Sequence, residues 1–401
     1  MKIAITGATG TVGQSLIPML TTPNIELLLV GRDPSRISAL FPGKNACSYE
    51  ALPERAKGFD LLLHLAVVNN NSQSNDATFH AINVDLTVEV AKSAKQANIP
   101  RFVNISSFHA LDEHNLSPYA KTKREATKRL ASLEGIDVLT IYLPLAYSDR
   151  WSGKLKFLNS LPNALARLIF AALAATKPTI HVSRLAKTIL DTEHYQLRTE
   201  IILSERQQDN PIYQITKRTV DILFALSVIT SLWWALALIW MTIRLQSPGP
   251  GIFAQPRIGR EGKLFTCYKF RTMLQGTTQA GTHEVTADSV TKIGRFLRRT
   301  KLDELPQVWN ILRNDISLIG PRPCLPMQTE LVEARKKLGV LSVKPGISGL
   351  AQINDIDMSD PIKLANWDAR YVALQSLQLD YKIILATIVG SGQGDRVSEA
   401  H

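Results

Sequence analysis

Lys2-Ile3-Ala4-Ile5-Thr6-Gly7-Ala8-Thr9-Gly10-Thr11-Val12-Gly13 decides the fold of the first half of this chain. A short apolar strand runs into a glycine loop, and Gln14–Leu20 continues it as an apolar helix. Glycines at every third position let the backbone approach a pyrophosphate, which then sits against the positive end of the helix. That order, strand then glycine loop then helix, is the informative part, since a glycine pattern without it says little.

Working outward, strands are expected at Ile25–Val30, Leu61–Val68 and Arg101–Ser106, with a helix from about Val84 to Asn98. The alternation predicts an α/β fold with a Rossmann-like parallel sheet. The second strand ends in Gly31-Arg32-Asp33-Pro34-Ser35-Arg36. An acid there suits a free ribose hydroxyl, whereas arginine suits a 2′-phosphate, so Arg32 favours NADP(H) and leaves NAD(H) open. Tyr119 and Lys123 are four residues apart, on one face of a helix, where an ammonium can lower a phenol pKa for acid–base work.

A chain of 401 residues has room for two or three domains, and its net charge of +11 points to anionic partners. No zinc-finger, helix-turn-helix or aromatic-interleaved basic motif supports nucleic acid. The three cysteines, Cys47, Cys267 and Cys324, lack metal-ligand spacing and read as thiols in a reducing compartment. Met1 leads directly into a strand, leaving no room for a signal peptide, so the first domain is expected in the cytosol.

Residues 161–176 form an apolar helix too short to span a bilayer. Ser204–Asn210 with Pro211 reads as a linker. Thr219–Ile243 is apolar and long enough to cross a membrane, yet Lys217 and Arg218 precede it and Arg244, Arg257 and Arg260 follow it. The positive-inside rule therefore draws both ends to one face, predicting a re-entrant segment with Ser227, Thr230 and Ser231 as bend positions.

Beyond it lie Tyr268-Lys269-Phe270-Arg271, the arginines 295, 298 and 299, then Thr300-Lys301-Leu302-Asp303-Glu304-Leu305-Pro306-Gln307 and Gly320-Pro321-Arg322-Pro323. Alone, Asp303-Glu304 reads as a solvated helix start. Among arginines, two carboxylates suit phosphate chemistry. Pro306 places Asp303 near a helix N-terminus, whose dipole is expected to keep it ionised.

Two family resemblances follow from these residues. The Gly7/Gly10/Gly13 loop, His64-Leu65-Ala66, Asn83-Val84, Phe102–Ser107 and Tyr119 with Lys123 resemble the extended short-chain dehydrogenase/reductases that act on nucleotide sugars. The resemblance implies Tyr119 as acid/base, Lys123 on the nicotinamide ribose, Ser107 orienting substrate, and Asn83 in the cofactor site. The family's Arg-Pro is Leu143-Pro144 here and the sugar-nucleotide region is short, so a catalytically silent regulatory module is the alternative.

Residues from about 215 to 390 resemble the monotopic phosphoglycosyl transferases, through the motifs above together with Pro345–Gln352, Trp367-Asp368, Tyr371 and Asp380. That resemblance implies a re-entrant helix and a small α/β domain on the cytoplasmic face of a bacterial inner membrane. It further implies Asp303 as the nucleophile that takes a phosphosugar from a UDP-sugar, and Glu304 as the Mg²⁺ ligand. Polyprenyl phosphate is the acceptor. Lys269, Arg271, Arg295, Arg298 and Arg322 are the candidate phosphate contacts.

Here Lys301 replaces the family's serine, Leu232 follows Ser231 where proline is frequent, and Asn354-Asp355-Ile356 replaces Asn-Gly-Arg. The expected domains are 1–205 (dinucleotide-binding), 206–216 (linker), 217–245 (membrane helix), 246–390 (transferase) and 391–401 (tail). The expected partners are a UDP-sugar, polyprenyl phosphate and the bilayer, with a homodimer left open.

Overall fold

The computed structural model describes residues 1–69, 72–191, 199–277 and 289–390, so the expected tail at 391–401 lies outside the described residues. Two compact units divide the chain: Met1–Leu168 with Pro178–Glu205, and Ile169–Lys177 with the residues from Arg206 onward.

In the first unit, β1 (Lys2–Thr6), β2 (Glu26–Val30), β3 (Asn45–Cys47), β4 (Leu61–His64), β5 (Arg101–Ser107) and β6 (Asp137–Leu143) precede the short pair β7 (Leu145–Tyr147) and β8 (Thr179–His181); β9 is Glu200–Ile202. The main sheet has seven strands in the order β3-β2-β1-β4-β5-β6-β9. All its pairings are parallel. Ile3, Ile5, Leu27 and Leu29 join one buried cluster while Ala4, Leu28, Val30 and Leu62 join another on the opposite face. Burial on both faces explains why these strands read as unbroken apolar runs. Strand order reverses at β1, so the glycine loop that follows it lies at the switch point, where open α/β sheets bind ligands.

The second unit contains the antiparallel hairpin β10 (Ile252–Ile258) and β11 (Leu264–Phe270), and the parallel pair β12 (Ser317–Ile319) and β13 (Gly346–Ser348). Its dominant element is one helix, Pro211–Gln246. Helix formation therefore begins inside the expected linker, where Asn210 accepts from the backbone N–H of Ile212 at 3.1 Å. The expected bend is not a break either, for the helix runs on through Ser227–Ser231. There the hydroxyls donate to carbonyls of their own helix, Ser227 to Phe224 at 2.8 Å and Thr230 to Leu226 at 2.9 Å. With leucine instead of proline after Ser231, no amide hydrogen is lost and nothing forces the helix open.

One stripe of this helix packs along the second unit. Arg218 donates to the carbonyls of Ile311 and Leu312 at 2.7 and 3.1 Å, capping the C-terminal end of the helix Val308–Leu312. Asp221 accepts from Ser317 Oγ and the Leu318 amide at 3.0 and 2.8 Å. Ala225 and Val228 then meet Val308, Ile311 and Ile316, and Ile243 meets Phe270 and Leu297. Steps of three and four residues keep these positions on one face. Elsewhere on the helix Leu223, Leu226, Trp233, Trp234, Leu238 and Leu245 are exposed. At its start, Tyr213 and Lys217 both donate to Asp380 Oδ2 at 2.8 Å, and Tyr371 donates to Oδ1 at 2.8 Å. Asp380 belongs to the helix Leu377–Ile388, which buries Ile383 and leaves Ile388 exposed.

Candidate active site

Asp303 and Glu304 lie in a 3-10 turn, Leu302–Gln307, that runs into the helix Val308–Leu312. The turn follows Lys301, which adopts the left-handed conformation at φ 56°. A non-glycine residue there costs about 1–2 kcal/mol, so the surrounding contacts must hold it. The basic helix Lys292–Arg299 leads into this strained residue. Gly294 permits its close approach to the chain beneath, since a Cβ there would fall 2.1 Å from the carbonyl oxygen of Thr272. Arg298 is thereby seated with its Nε donating to Thr272 Oγ1 at 2.9 Å.

The two carboxylates have different surroundings. Glu304 Oε1 receives Lys269 Nζ at 2.7 Å, from β11, and Arg322 Nη2 at 3.0 Å. Those two cations outweigh the burial that opposes ionisation and bring Glu304 down to about 2. Asp303 moves the other way, to about 6, because burial and the adjacent Glu304 charge outweigh Lys269, Arg298 and Arg322. Asp303 thus titrates closer to neutrality than the expected helix dipole would place it, though a group near 6 is still mostly ionised at pH 7. A single 3-10 turn supplies a weak dipole, and the neighbouring carboxylate acts at much shorter range.

The candidate phosphate contacts divide. Lys269, Arg298 and Arg322 act electrostatically on Asp303. Arg271 does not reach the pair in this way: it donates to the carbonyls of Pro248 and Ser247 at 2.6 and 2.8 Å and fastens the turn after the long helix. Arg295 lies on the exposed side of the basic helix. As for Mg²⁺, no group of three or more His, Cys, Asp or Glu side chains gathers among the described residues. Magnesium commonly takes one or two carboxylates and completes its shell with water and substrate phosphates, and Asp303-Glu304 fits that sparse donor set.

Sequence reasoning named Asp368 only as a motif residue and gave no role to the supports of this site. Arg335 and Asp368 form a buried pair at 2.7 Å, and Arg335 also donates to the Arg322 carbonyl at 2.8 Å, fixing the loop that delivers Arg322 to Glu304. Asn310 holds β11 through the Tyr268 amide at 3.1 Å and the Thr266 carbonyl at 2.7 Å, setting the strand that carries Lys269. A single arginine on a charged helix, or one asparagine, carries no signal until the fold supplies its partner.

In the first unit, Gly7 takes φ +72°, and a Cβ on it would lie 2.5 Å from the Ala66 amide nitrogen. A Cβ on Gly13 would lie 2.6 Å from the Gly7 carbonyl oxygen, whereas one on Gly10 would meet that same oxygen at a looser 3.2 Å. The helix Thr11–Leu20 starts at Gly10 with no side-chain cap. A bare loop and uncapped amides fit a dinucleotide pyrophosphate. At the end of β2, Asp33 is spent capping the amide of Arg36 at 3.0 Å, and Arg32 acts electrostatically on Tyr49.

Ser107 hydrogen-bonds Tyr119, whose phenol is nevertheless pushed up by burial rather than lowered. Lys123 is buried, brought down to about 8 by desolvation, and donates to the Ile105 carbonyl at 3.0 Å. Asn83 spends its amide inside the protein, accepting from Val68 N at 2.9 Å and donating to Thr122 Oγ1 at 3.2 Å. It ties the loop after β4 to the Tyr119 helix instead of facing a cofactor. His64, fully buried between Thr6 Oγ1 at 2.8 Å and Thr87 Oγ1 at 3.1 Å, is held neutral by burial and by the Lys123 charge, near 3.

Residues 212–393 match the family described as bacterial sugar transferase. An uncharacterized sugar transferase, EpsL of Bacillus subtilis, is 38% identical over 178 residues, which are 43% of this chain and 86% of that relative. The chain belongs to the bacterial sugar transferase family.

Within that family, an undecaprenyl-phosphate glucose phosphotransferase of Komagataeibacter xylinus is 36% identical over 43% of this chain and 35% of its own length. A UDP-N-acetylgalactosamine-undecaprenyl-phosphate N-acetylgalactosaminephosphotransferase of Aeromonas hydrophila is 32% identical over 57% of this chain and 56% of its own. The chain thus spans between about a third and just over half of these larger relatives' length. Residues 3–180 of this sugar transferase family member, most of them in the first unit, match the NAD dependent epimerase/dehydratase family. A UDP-glucuronic acid 4-epimerase from Bacillus cereus in complex with NAD aligns at 16% identity over 51% of this chain and 79% of that one, with a TM-score of 0.40.

Proposed function

We propose that the second unit transfers a phosphosugar from a UDP-sugar to polyprenyl phosphate through a covalent intermediate on Asp303. The observation that carries this reading is the opposed pair: one carboxylate locked in an ion pair, the other beside three cations and, among the described residues, without a hydrogen-bonding partner. An Asp303 carboxylate oxygen attacks the β-phosphorus, the bond from that phosphorus to the bridging oxygen breaks, and UMP leaves with the electron pair. A phosphate oxygen of polyprenyl phosphate then attacks the same phosphorus, giving a polyprenyl-diphosphate sugar and restoring Asp303.

Lys269, Arg298 and Arg322 balance the charge that builds on the phosphoryl oxygens. Glu304 would hold Mg²⁺, which when bound supplies Lewis-acid polarisation of the phosphates, and Asp303 is left to attack. Mass spectrometry after adding a UDP-sugar tests the assignment. An adduct on Asp303 is expected, and full activity of Asp303→Asn would remove the reading.

The long helix, unbroken here, is read as dipping into the membrane with both its ends on one side, the cytoplasmic face of the bacterial inner membrane. Support comes from the packed stripe from Arg218 to Ile243, which keeps both ends of the apolar run on the same unit. Labelling cysteines placed on either side of Thr219–Ile243 from the two faces of intact cells tests this, with access expected from the cytoplasm alone.

For the first unit we infer an NADP(H)-dependent reductase or epimerase acting on the nucleotide sugar. The Arg32 position, with Asp33 spent as a cap, favours the 2′-phosphate. A nicotinamide would supply the hydride chemistry when bound; Tyr119, beside Ser107, would move a proton at the substrate oxygen, and Lys123, which donates to the Ile105 carbonyl, would hold the nicotinamide ribose. The shortened sugar-nucleotide region keeps a silent nucleotide-binding module as the second reading. Consumption of NADPH by a UDP-4-keto-sugar, lost in Tyr119→Phe, separates the two.

A further inference from the structure

We infer that the exposed face of the basic helix Lys292–Arg299 is a headgroup-binding surface that docks on anionic phospholipids and fixes the height of Asp303 at the membrane. The inference rests on the one-sided membrane reading of the long helix given above. Ile293, Gly294 and Leu297 face inward, while Lys292, Arg295, Phe296 and Arg299 are exposed. At 3.6 residues per turn the exposed set fills one continuous arc of about 100°. Phe296, 47% exposed, closes the edge of that arc next to Ile293.

Ile293 packs in the same cluster as Leu236, Ile239 and Ile243 of the long helix. The aromatic edge of the basic helix therefore borders the apolar helix, and the cations lie on the side away from it. The apolar side of the helix is taken up by the protein core, so what it presents outward is a cationic face edged by one aromatic, the chemistry that anionic headgroups attract. Among the described residues no ion pair involves Lys292, Arg295 or Arg299.

Charge complementarity selects the occupant. Each Lys or Arg near an anionic leaflet gains in attraction, and the gain is screened by salt. The helix ends at Arg299, and Asp303 follows four residues on, so its depth sets the depth of Asp303. Arg295 is accordingly reassigned from substrate phosphate to lipid headgroup, while Arg298, on the inner side, stays with the site.

The three native cysteines are buried, so a fluorophore can be placed on the full chain through Phe296→Cys or Trp234→Cys. Each labelled protein is reconstituted in vesicles with brominated acyl chains, of phosphatidylcholine alone or with phosphatidylglycerol. Quenching at 296 is expected to be at least about twofold greater with phosphatidylglycerol, and to fall to the neutral-lipid level in 1 M salt or with Lys292→Gln, Arg295→Gln and Arg299→Gln combined. Equal quenching in both vesicles, or none of this loss in the triple variant, overturns the proposal. So does full enhancement in neutral vesicles carrying polyprenyl phosphate alone, which would make the face an acceptor site. A label at 234 quenched everywhere beside a flat response at 296 removes this proposal only. An unquenched 234 removes the membrane reading and the proposal with it.

Discussion

Replacing Asp303 with asparagine is expected to abolish transfer and yet make the protein more stable. Asp303 is raised from 3.8 to about 6 by burial and by its like-charged neighbour. At neutral pH the folded state must therefore hold a carboxylate that ionises more readily in the unfolded chain. An acid with a raised folded pKa binds more protons when folded, so its contribution falls as pH rises between the two values. A displacement of about two units is worth about 3 kcal/mol at pH 7, about 1.6 at pH 5 and about 0.5 at pH 4. The Asp303→Asn variant lacks this penalty, so the thermal midpoint of the second unit should rise by about 5 °C or more at pH 7, and the gain should shrink towards pH 4. Differential scanning fluorimetry of the full chain in detergent at the three pH values reads it. An unchanged or lower midpoint at pH 7, or a gain that does not depend on pH, refutes the electrostatic account of this site.

Glu304→Gln should act with the opposite sign, costing about 3 kcal/mol because Lys269 and Arg322 lose their common partner; chemical denaturation at pH 7 reads it. The acid limb of transferase activity in the wild type should fall away below about 6 as Asp303 protonates, and a pH–rate profile of UMP release measures it. In the first unit, His64 is near 3 when folded against 6.5 unfolded. Unfolding protonates it, so stability is complete above pH 6.5 and about 2 kcal/mol is lost by pH 5, a slope that His64→Gln should flatten in urea titrations.

The fold was legible wherever local chemistry and tertiary packing agreed. The glycine loop after β1 is such a place, because both the first and third glycines are forced by backbone contacts that any side chain would break. Strand ends were less legible. Leu61–Val68 shortens to Leu61–His64, since pairing with β1 and β5 stops at His64 while the apolar sequence continues. The helix expected from about Val84 begins earlier, at Asp76, and passes through a π turn at Ala81–Asp85 that sets Asn83 between Val68 and Thr122. A widened turn leaves no trace in apolar periodicity. The bend expected at Ser227–Ser231 shows the converse limit, as hydroxyls within a helix satisfy carbonyls without breaking it.

At the site, residue types were legible and their division of labour was not. Asp303 and Glu304 are adjacent acids among the same cations, and nothing in the sequence says which one is neutralised. The fold decides by bringing β11 and the Arg322 loop to one oxygen of Glu304. Each cation so engaged makes Glu304 a fixed negative charge, and that charge is one of the forces raising Asp303. The pair therefore stores destabilisation on Asp303, and in the proposed mechanism a phosphorus centre would relieve it, because forming the acyl phosphate would remove the carboxylate charge next to Glu304. A nucleophile so destabilised would react from a raised ground state, and the cations beside it would turn to the phosphoryl oxygens as charge left the carboxylate.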